Sequence, residues 1–251
     1  WILWALLRGE SSAGKSYVKR KIRELFPNAI WYTRITEGAL NRLGMSYGSM
    51  TGTIIDIEEA GGVEGGTQFR ILGSEGSLAL AVAEREKGKY VLTEIKLEGL
   101  PVVVTSSADE VIDRQFETRV LILFMDESSD QTRSVVRFRG RKRSLPRERK
   151  DLEKEGLKTA IRLLMPVREG IIIPFGEKLS ENFPVDKIRC RRDFDKLLVL
   201  IGMHAFLCQY RRKRIITKRG ILVVASVEDL EAIKGYAARA FRRPPAECPP
   251  V

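Results

Sequence analysis

The sequence predicts an α/β fold in which a central parallel sheet carries a phosphate-binding turn. Three observations lead there. Residues 9–16 read GESSAGKS and fit the pattern G-x-x-x-x-G-K-[ST]. The pattern lies between an apolar run and a helical period, the context that a phosphate loop requires. Residues 53–57, 101–105 and 120–125 are short, continuous apolar runs, the texture of strands buried on both faces.

The elements follow in order. Residues 1–7, WILWALL, form a first buried strand ending at the loop. Val18, Ile22, Leu25 and Phe26 then recur at helical spacing, and Pro27 stops that helix. Residues 53–57, TIIDI, are a second strand running into Glu58 and Glu59, and residues 63–72 read as a helix. Residues 77–84 and 90–97 alternate in polarity and flank REKGK, which predicts a β-hairpin with Gly88 in its turn. PVVVT at 101–105 and VLILFM at 120–125 complete the core strands. Residues 137–150 then hold eight basic residues against one acid, Glu148. That stretch fits either a phosphate-contacting loop or a solvated linker. Helical periods follow over 152–165 and 192–210. A basic turn at 211–213, a β-like ILVVAS at 221–226 and a last helix over 227–241 precede a Pro-rich tail.

Composition narrows the partners. The 251 residues carry a net charge of +11, which favours a polyanion, nucleic acid ahead of an anionic membrane. Three scattered cysteines (Cys190, Cys208, Cys248) and the single His204 argue against a zinc site and for a reducing compartment. His204 reads as a packed, hydrogen-bonded side chain on a Leu-rich helix. No apolar run approaches the roughly 18 residues that span a bilayer. The opening run lacks a basic leader and a small-residue cleavage site, so it does not read as a signal peptide. It starts inside a core strand, which suggests a fragment or bare module of a longer chain.

The loop defines the chemistry. Gly9, Glu10, Ser11, Ser12, Ala13, Gly14, Lys15 and Ser16, with Tyr17 following, form a cradle whose backbone N–H groups converge on a phosphate at a helix N-terminus. Lys15 would bridge β- and γ-phosphates and the Ser16 hydroxyl would ligate Mg2+. Hydrolysis also needs carboxylates at the end of a neighbouring strand. Glu59 is the candidate for positioning the attacking water and Glu58 for the metal, with Asp56 on the same side but deeper. Asp126–Glu127, after another apolar strand, is a rival that spacing alone does not dismiss.

From Leu6 to about Ala237 the order of motifs resembles the AAA+ ATPase core of minichromosome-maintenance (MCM) helicases, in particular MCM-like helicases encoded beside primases in mobile elements. GESSAGKS resembles the family's phosphate loop, and IIDIEEA its apolar strand followed by Asp-Glu, with Glu58 in place of the aspartate. The hairpin lies where the family inserts one before the sensor-1 strand. By that resemblance Arg85, Lys87 and Lys89 at its tip would touch DNA in the ring channel. VVVTSS resembles the sensor-1 strand, and Ser107 aligns with the family's asparagine, Thr105 and Ser106 being the neighbouring candidates. FETRVLILFMDES resembles the family's SRF segment, which makes Arg119 an arginine finger for the neighbouring subunit's ATP and leaves Asp126 structural. RRDFDKLLVLIGMHAFL resembles the lid helix that opens with the sensor-2 arginine, here Arg192, with Arg191 beside it.

The resemblance implies an AAA+ core with a helical lid, ATPase core 1–136 and lid 151–241; composition makes 137–150 a basic linker between them and the Pro-rich 242–251 a disordered tail. It also implies ATP and Mg2+, a homo-oligomeric ring, normally a hexamer, and single-stranded DNA in the channel. Primase or other replication proteins are implied partners, with no membrane, in a prokaryotic cytoplasm near the nucleoid. Remote arginines suit this chemistry because a guanidinium fork matches the spread charge of the γ-phosphoryl transition state. Two rival classes remain: an AAA+ protein remodeller or regulatory ATPase not acting on DNA, and a catalytically idle subunit, suggested by Glu58 and the missing sensor asparagine.

Overall fold

Five short strands frame the site. β1 (Trp4–Arg8), β2 (Ala29–Tyr32), β3 (Ile54–Ile57), β6 (Val102–Ser107) and β7 (Val120–Phe124) form one sheet in the order β2-β3-β6-β1-β7. Every pairing in it is parallel. The connecting helices are α1 (Lys15–Leu25), α2 (Glu37–Tyr47), α3 (Thr67–Glu75) and α4 (Arg114–Glu117). Between α3 and β6 the chain makes an antiparallel hairpin of β4 (Ser77–Glu86) and β5 (Lys89–Glu98), separate from the main sheet. α5 (Ser129–Ser144) and α6 (Leu152–Leu163) follow. This computed structural model describes residues 3–26, 29–47, 49–60, 67–86, 89–99, 101–109, 113–144, 152–164, 167 and 170–241. The chain divides into two compact units, Ile2–Thr159 and Ala160–Val251.

The apolar runs do what their texture requires. Leu6, Ile55, Ile57, Val103, Val120 and Ile122 form a continuous core with Leu40, Phe69 and Leu72 from the flanking helices. Trp4 anchors it at one end. Its ring meets Phe69 edge-on, with centroids 6.0 Å apart, and its indole N–H donates to the Pro101 carbonyl at 3.0 Å. The hairpin's root is buried through Leu78, Ile95 and Leu97, whereas Leu92, further out, is 73% exposed. At that root Gly99 has φ +82°, and a Cβ on it would lie 2.2 Å from Thr51 Oγ1, so only glycine fits.

Several elements depart from the sequence reading. β2 and α2 carried no signal there. The helix expected from residue 63 is α3, starting at Thr67; residues 61–66 lie outside the described residues. Residues 137–144, read as the start of a linker, continue α5, none of whose residues is buried. Residues 145–151 and the tail from 242 also lie outside the described residues. Lys87, at the hairpin tip, lies outside them too, as do the side chains of Arg85 and Lys89, whose backbones extend the ladder as far as Glu86↔Lys89.

The second unit is mixed rather than purely helical. It contains β8 (Ile171–Ile172), α7 (Gly176–Glu181), α8 (Cys190–Leu207), a 3-10 turn (Gln209–Arg211), β9 (Lys213–Ile216), β10 (Ile221–Val224) and α9 (Val227–Phe241). β10 is central, parallel to β8 and antiparallel to β9. Leu197, Ile201 and Ala205 of α8 pack on Val223, Ala225 and the inner face of α9.

One buried carboxylate organises this unit. Asp229, fully buried, accepts from Arg212 Nε at 2.8 Å, from the Ser226 backbone N–H at 2.8 Å, and lies 2.7 Å from His204 Nδ1. The Ser226 contact is the acidic half of a capping box that starts α9. Burial alone would raise the Asp229 pKa, but the donors from Arg212, Ser226 and His204 outweigh it and hold it at about 2. A lowered acid pKa stabilises the fold above the ordinary carboxylate range, and that contribution disappears as pH falls from about 4 towards 2. Asp229→Ala is expected to cost this unit about 3 kcal/mol, because it leaves a largely buried guanidinium with only the exposed Glu228 as a counter-charge among the described residues. Hydrogen exchange of the α8 and α9 amides checks this, and in the variant the loss of protection between pH 4 and pH 2 (about the window above) should be blunted.

Candidate functional site

The site lies at the carboxyl edge of the parallel sheet, where β1 sits between β6 and β7. Open α/β sheets bind ligands outside the carboxyl ends of their strands. After Arg8 the chain turns through the loop into α1. Gly14, the N-cap of α1, has φ +96°, and Ser12 also adopts a left-handed φ of 71°. Alternation of this kind points successive N–H groups inward, as in an anion nest. α1 has neither a side-chain cap nor an acid in its first turn, so the positive end of the helix is left to an external anion. Lys15 Nζ folds over the loop, donating to the carbonyls of Gly9 at 2.6 Å and Glu10 at 2.8 Å.

Gly9 is required by crowding. A Cβ there would lie 2.6 Å from Glu127 Oε1 and 2.9 Å from Met125 Cβ. Met125 is held close because β7 runs in register with β1, its N–H donating to the Arg8 carbonyl at 2.8 Å. Glu127 Oε1 accepts from the Glu10 N–H. The rival acidic pair therefore separates: Asp126 Oδ1 accepts from the Ser128 N–H at the entry to α5, while Glu127 touches the loop. The Glu127 contact follows from strand register, which the sequence does not display.

The carboxylates of β3 meet the loop from the other side. Ser16 Oγ donates to Glu58 Oε1, joining the loop to a residue 42 positions later. Glu58 and Asp56 both reach Lys19 Nζ at 3.1 Å, so the two acids share a face as strand alternation requires. Lys19 is fully buried. Its ammonium also donates to the Ile57 carbonyl at 2.7 Å and approaches Ser106 Oγ at 3.5 Å. Ser106 Oγ in turn donates to the Glu58 carbonyl at 2.6 Å. Arg23 Nε lies 3.2 Å from Asp56 Oδ2, and its guanidinium stacks 5.0 Å from the Trp31 ring centroid. Burial pushes the Asp56 pKa above its ordinary value against the pull of Lys19 and Arg23. Burial acts the same way on Glu58, but the Ser16 hydroxyl and Lys19 prevail and lower it.

Lys19 was not among the sequence-derived candidates. Two signals pointed to it. Ser16, Lys19 and Arg23 recur at three- and four-residue spacing, one stripe of a helix. Asp56 lies inside an apolar strand, and such an acid needs a buried counter-charge. The apolar positions expected to anchor α1, Val18 and Ile22, are only half-buried; the buried residue of α1 is the lysine.

The remaining candidates spread out. Glu59 is exposed just past β3, its N–H donating to the Thr33 carbonyl. Ser107 pairs in register with Arg8, and its hydroxyl lies 3.1 Å from Asp109 Oδ2 in a local turn. Thr105 is buried, and among the described residues its hydroxyl has no hydrogen-bond partner. Arg119 precedes β7, whose first residue pairs with Trp4. It therefore sits at the opposite edge of the sheet from the loop, about 13 Å away by strand rise. Arg192 lies in the first turn of α8, in the second unit.

The chain matches no protein-family model and no curated protein. Among the described residues no helix is long and apolar enough to cross a membrane. The residues present fit the groups the loop pattern implies: an uncapped helix N-terminus with Lys15 for phosphates, and the adjoining Ser16 hydroxyl and Glu58 carboxylate as hard oxygen donors for Mg2+. A second cluster of ligand-type side chains, His204, Cys208 and Asp229, belongs to the other unit. There Arg212 already occupies both Asp229 oxygens, which opposes a cation.

Lys19→Met is expected to destabilise the first unit by about 3–5 kcal/mol, since it leaves two carboxylates without their shared cation. An acid with a raised pKa binds its proton more readily in the folded state, so the penalty grows with pH. Urea denaturation should show a smaller loss in acid than at neutral pH, because protonation of Asp56, whose pKa burial already raises, relieves part of the penalty. Equal losses at both would contradict the ammonium's role.

Proposed function

We propose that this chain is an ATP-driven DNA-translocating motor of the MCM-like AAA+ type, hydrolysing ATP at the interfaces of a homo-oligomeric ring. The contact of Ser16 with Glu58 carries the proposal, because it joins the loop's metal-ligating hydroxyl to a strand-end carboxylate. Mg2+ and ATP supply a polarised γ-phosphoryl group; the chain supplies its surroundings. The loop N–H groups and the α1 terminus bind the phosphates. Lys15, released from the Gly9 and Glu10 carbonyls, neutralises charge between them. Glu58, clamped by Lys19, holds the metal side, and the exposed Glu59 orients water. Ser107 or Ser106 on β6 meets the γ-phosphate side.

Arg119 supports action in trans. From the far edge of its own sheet it cannot serve its own loop, whereas a neighbouring copy in a ring can present one edge to the other. Arg192 is proposed as a second guanidinium from the lid. The hairpin directly precedes β6, consistent with a DNA-contacting insertion at that point.

Lys15→Ala should abolish ATP hydrolysis, and single-stranded DNA should stimulate the intact chain. Hydrolysis unaffected by Lys15→Ala sinks the proposal. Arg119→Ala should be equally inactive alone. Mixed with Lys15→Ala subunits it should regain part of the activity, because some interfaces then contain one intact loop and one intact arginine. A mixture as dead as its components would place Arg119 outside the reaction.

A further inference from the structure

α5 is a 16-residue helix with no buried residue, and its composition is extreme. It carries Arg133, Arg137, Arg139, Arg141, Lys142 and Arg143 against the single acid Asp130. Asp130 pairs with Arg133 at 3.2 Å. Among the described residues the other five cations make no ion pair. Arg133, Arg137 and Arg141 repeat at four-residue intervals, as do Arg139 and Arg143, so like charges stack along the helix about 6 Å apart. Such pairs weaken a helix, and an unpacked helix of this length is marginal in water. The charges are better accounted for by an anion that lies along them.

We propose that α5 binds the phosphate backbone of a nucleic-acid strand, as a second contact surface separate from the hairpin. The distribution of side chains selects this partner over a membrane or a protein groove. A membrane-surface helix needs an apolar face, and a helix docked in a groove needs an apolar stripe. Here Val135, Val136 and Phe138, all exposed, point in three directions at about 100° per residue, with Arg139, Lys142 and Arg143 between them. No continuous apolar face results. Cations on every side of a helix some 24 Å long suit a polyanion that can wrap or slide. The sequence continues the charge with Arg147, Arg149 and Lys150. Only the class of partner rests on the proposed function; the surface requires no hydrolysis.

The test uses the full chain and a fluorescently labelled oligo(dT), with affinity measured by anisotropy across a salt series. Replacing Arg137, Arg139, Arg141, Lys142 and Arg143 together by Gln should weaken binding at low salt by at least about tenfold and flatten the log–log salt slope by about 3, since each phosphate contact on a single strand contributes about 0.7. Val136→Ser with Phe138→Ser, on the same helix, should leave the slope unchanged. An unaltered slope and affinity in the Gln variant overturns the inference. So does loss of oligo(dT) binding in the Ser variant alone, which would point to apolar or base-stacking contacts through Phe138 in place of phosphate contacts. Preferential loss of phosphatidylserine-vesicle binding, with oligo(dT) binding intact, overturns it in favour of a membrane. Lys15→Ala should keep the full slope, so failure of the motor reading and failure of this surface are read separately.

Discussion

The fold around the candidate site depends on one ammonium group cut off from water. Lys19 projects from α1 into the gap between β3 and β6 and meets two carboxylates, a backbone carbonyl and a serine hydroxyl. An isolated charge in that place would be prohibitive. With these partners it fixes how α1 lies on the sheet, and therefore where the loop that begins α1 sits relative to Glu58. Apolar packing alone would tolerate a helix sliding or rotating slightly. A buried ion with directional partners does not, because every displacement lengthens several charged contacts together. The lowered pKa of Glu58 and the raised pKa of Asp56 follow from the same arrangement: the outer acid gains a hydroxyl donor, and the inner one suffers most from burial.

The second unit solves the mirror-image problem. There the buried group is an acid, Asp229, and the cation and polar donors come to it from α8, the segment before β9 and the cap of α9. Each unit is thus pinned by a single charge whose partners come from several segments. Such a charge contributes little net stability when complete and costs much when halved. It specifies one arrangement among several that the apolar residues would accept.

What the sequence disclosed follows from this. The phosphate loop, the hairpin and α9 were legible because their signals are local: glycines at fixed offsets, alternation around a turn, and a helical period over 227–241. β2 was not, since it is a four-residue edge strand whose Trp31 is half-exposed. α2 is interrupted by Gly38, Asn41 and Gly44, which blur its periodicity. β9 begins Lys213–Arg214 and read as a basic turn, because its four residues are all exposed. At the site, Gly9, Lys15, Ser16 and Glu58 were named from the sequence, Glu127 only as half of a rival acidic pair with no contact to the loop foreseen, and Lys19 not at all. Charged side chains on a helix or after a strand look solvent-facing until the register of their neighbours is known.

The hairpin shows how geometry limits what a long element can do. Its root is held by Leu78, Ile95 and Leu97 in the core, and by Gly99, which lies against Thr51 with no room for even a methyl group. In mechanical terms it is a cantilever clamped at its base, not a flap on a hinge. A clamped beam does not absorb a sideways load by swinging; it passes the moment to its support. Here the support leads within a few residues into β6, the strand whose other end holds Ser106 against Lys19 and Glu58. Four residues of β6, Val102–Thr105, therefore lie between the hairpin's anchorage and the serine that meets the Lys19 ammonium.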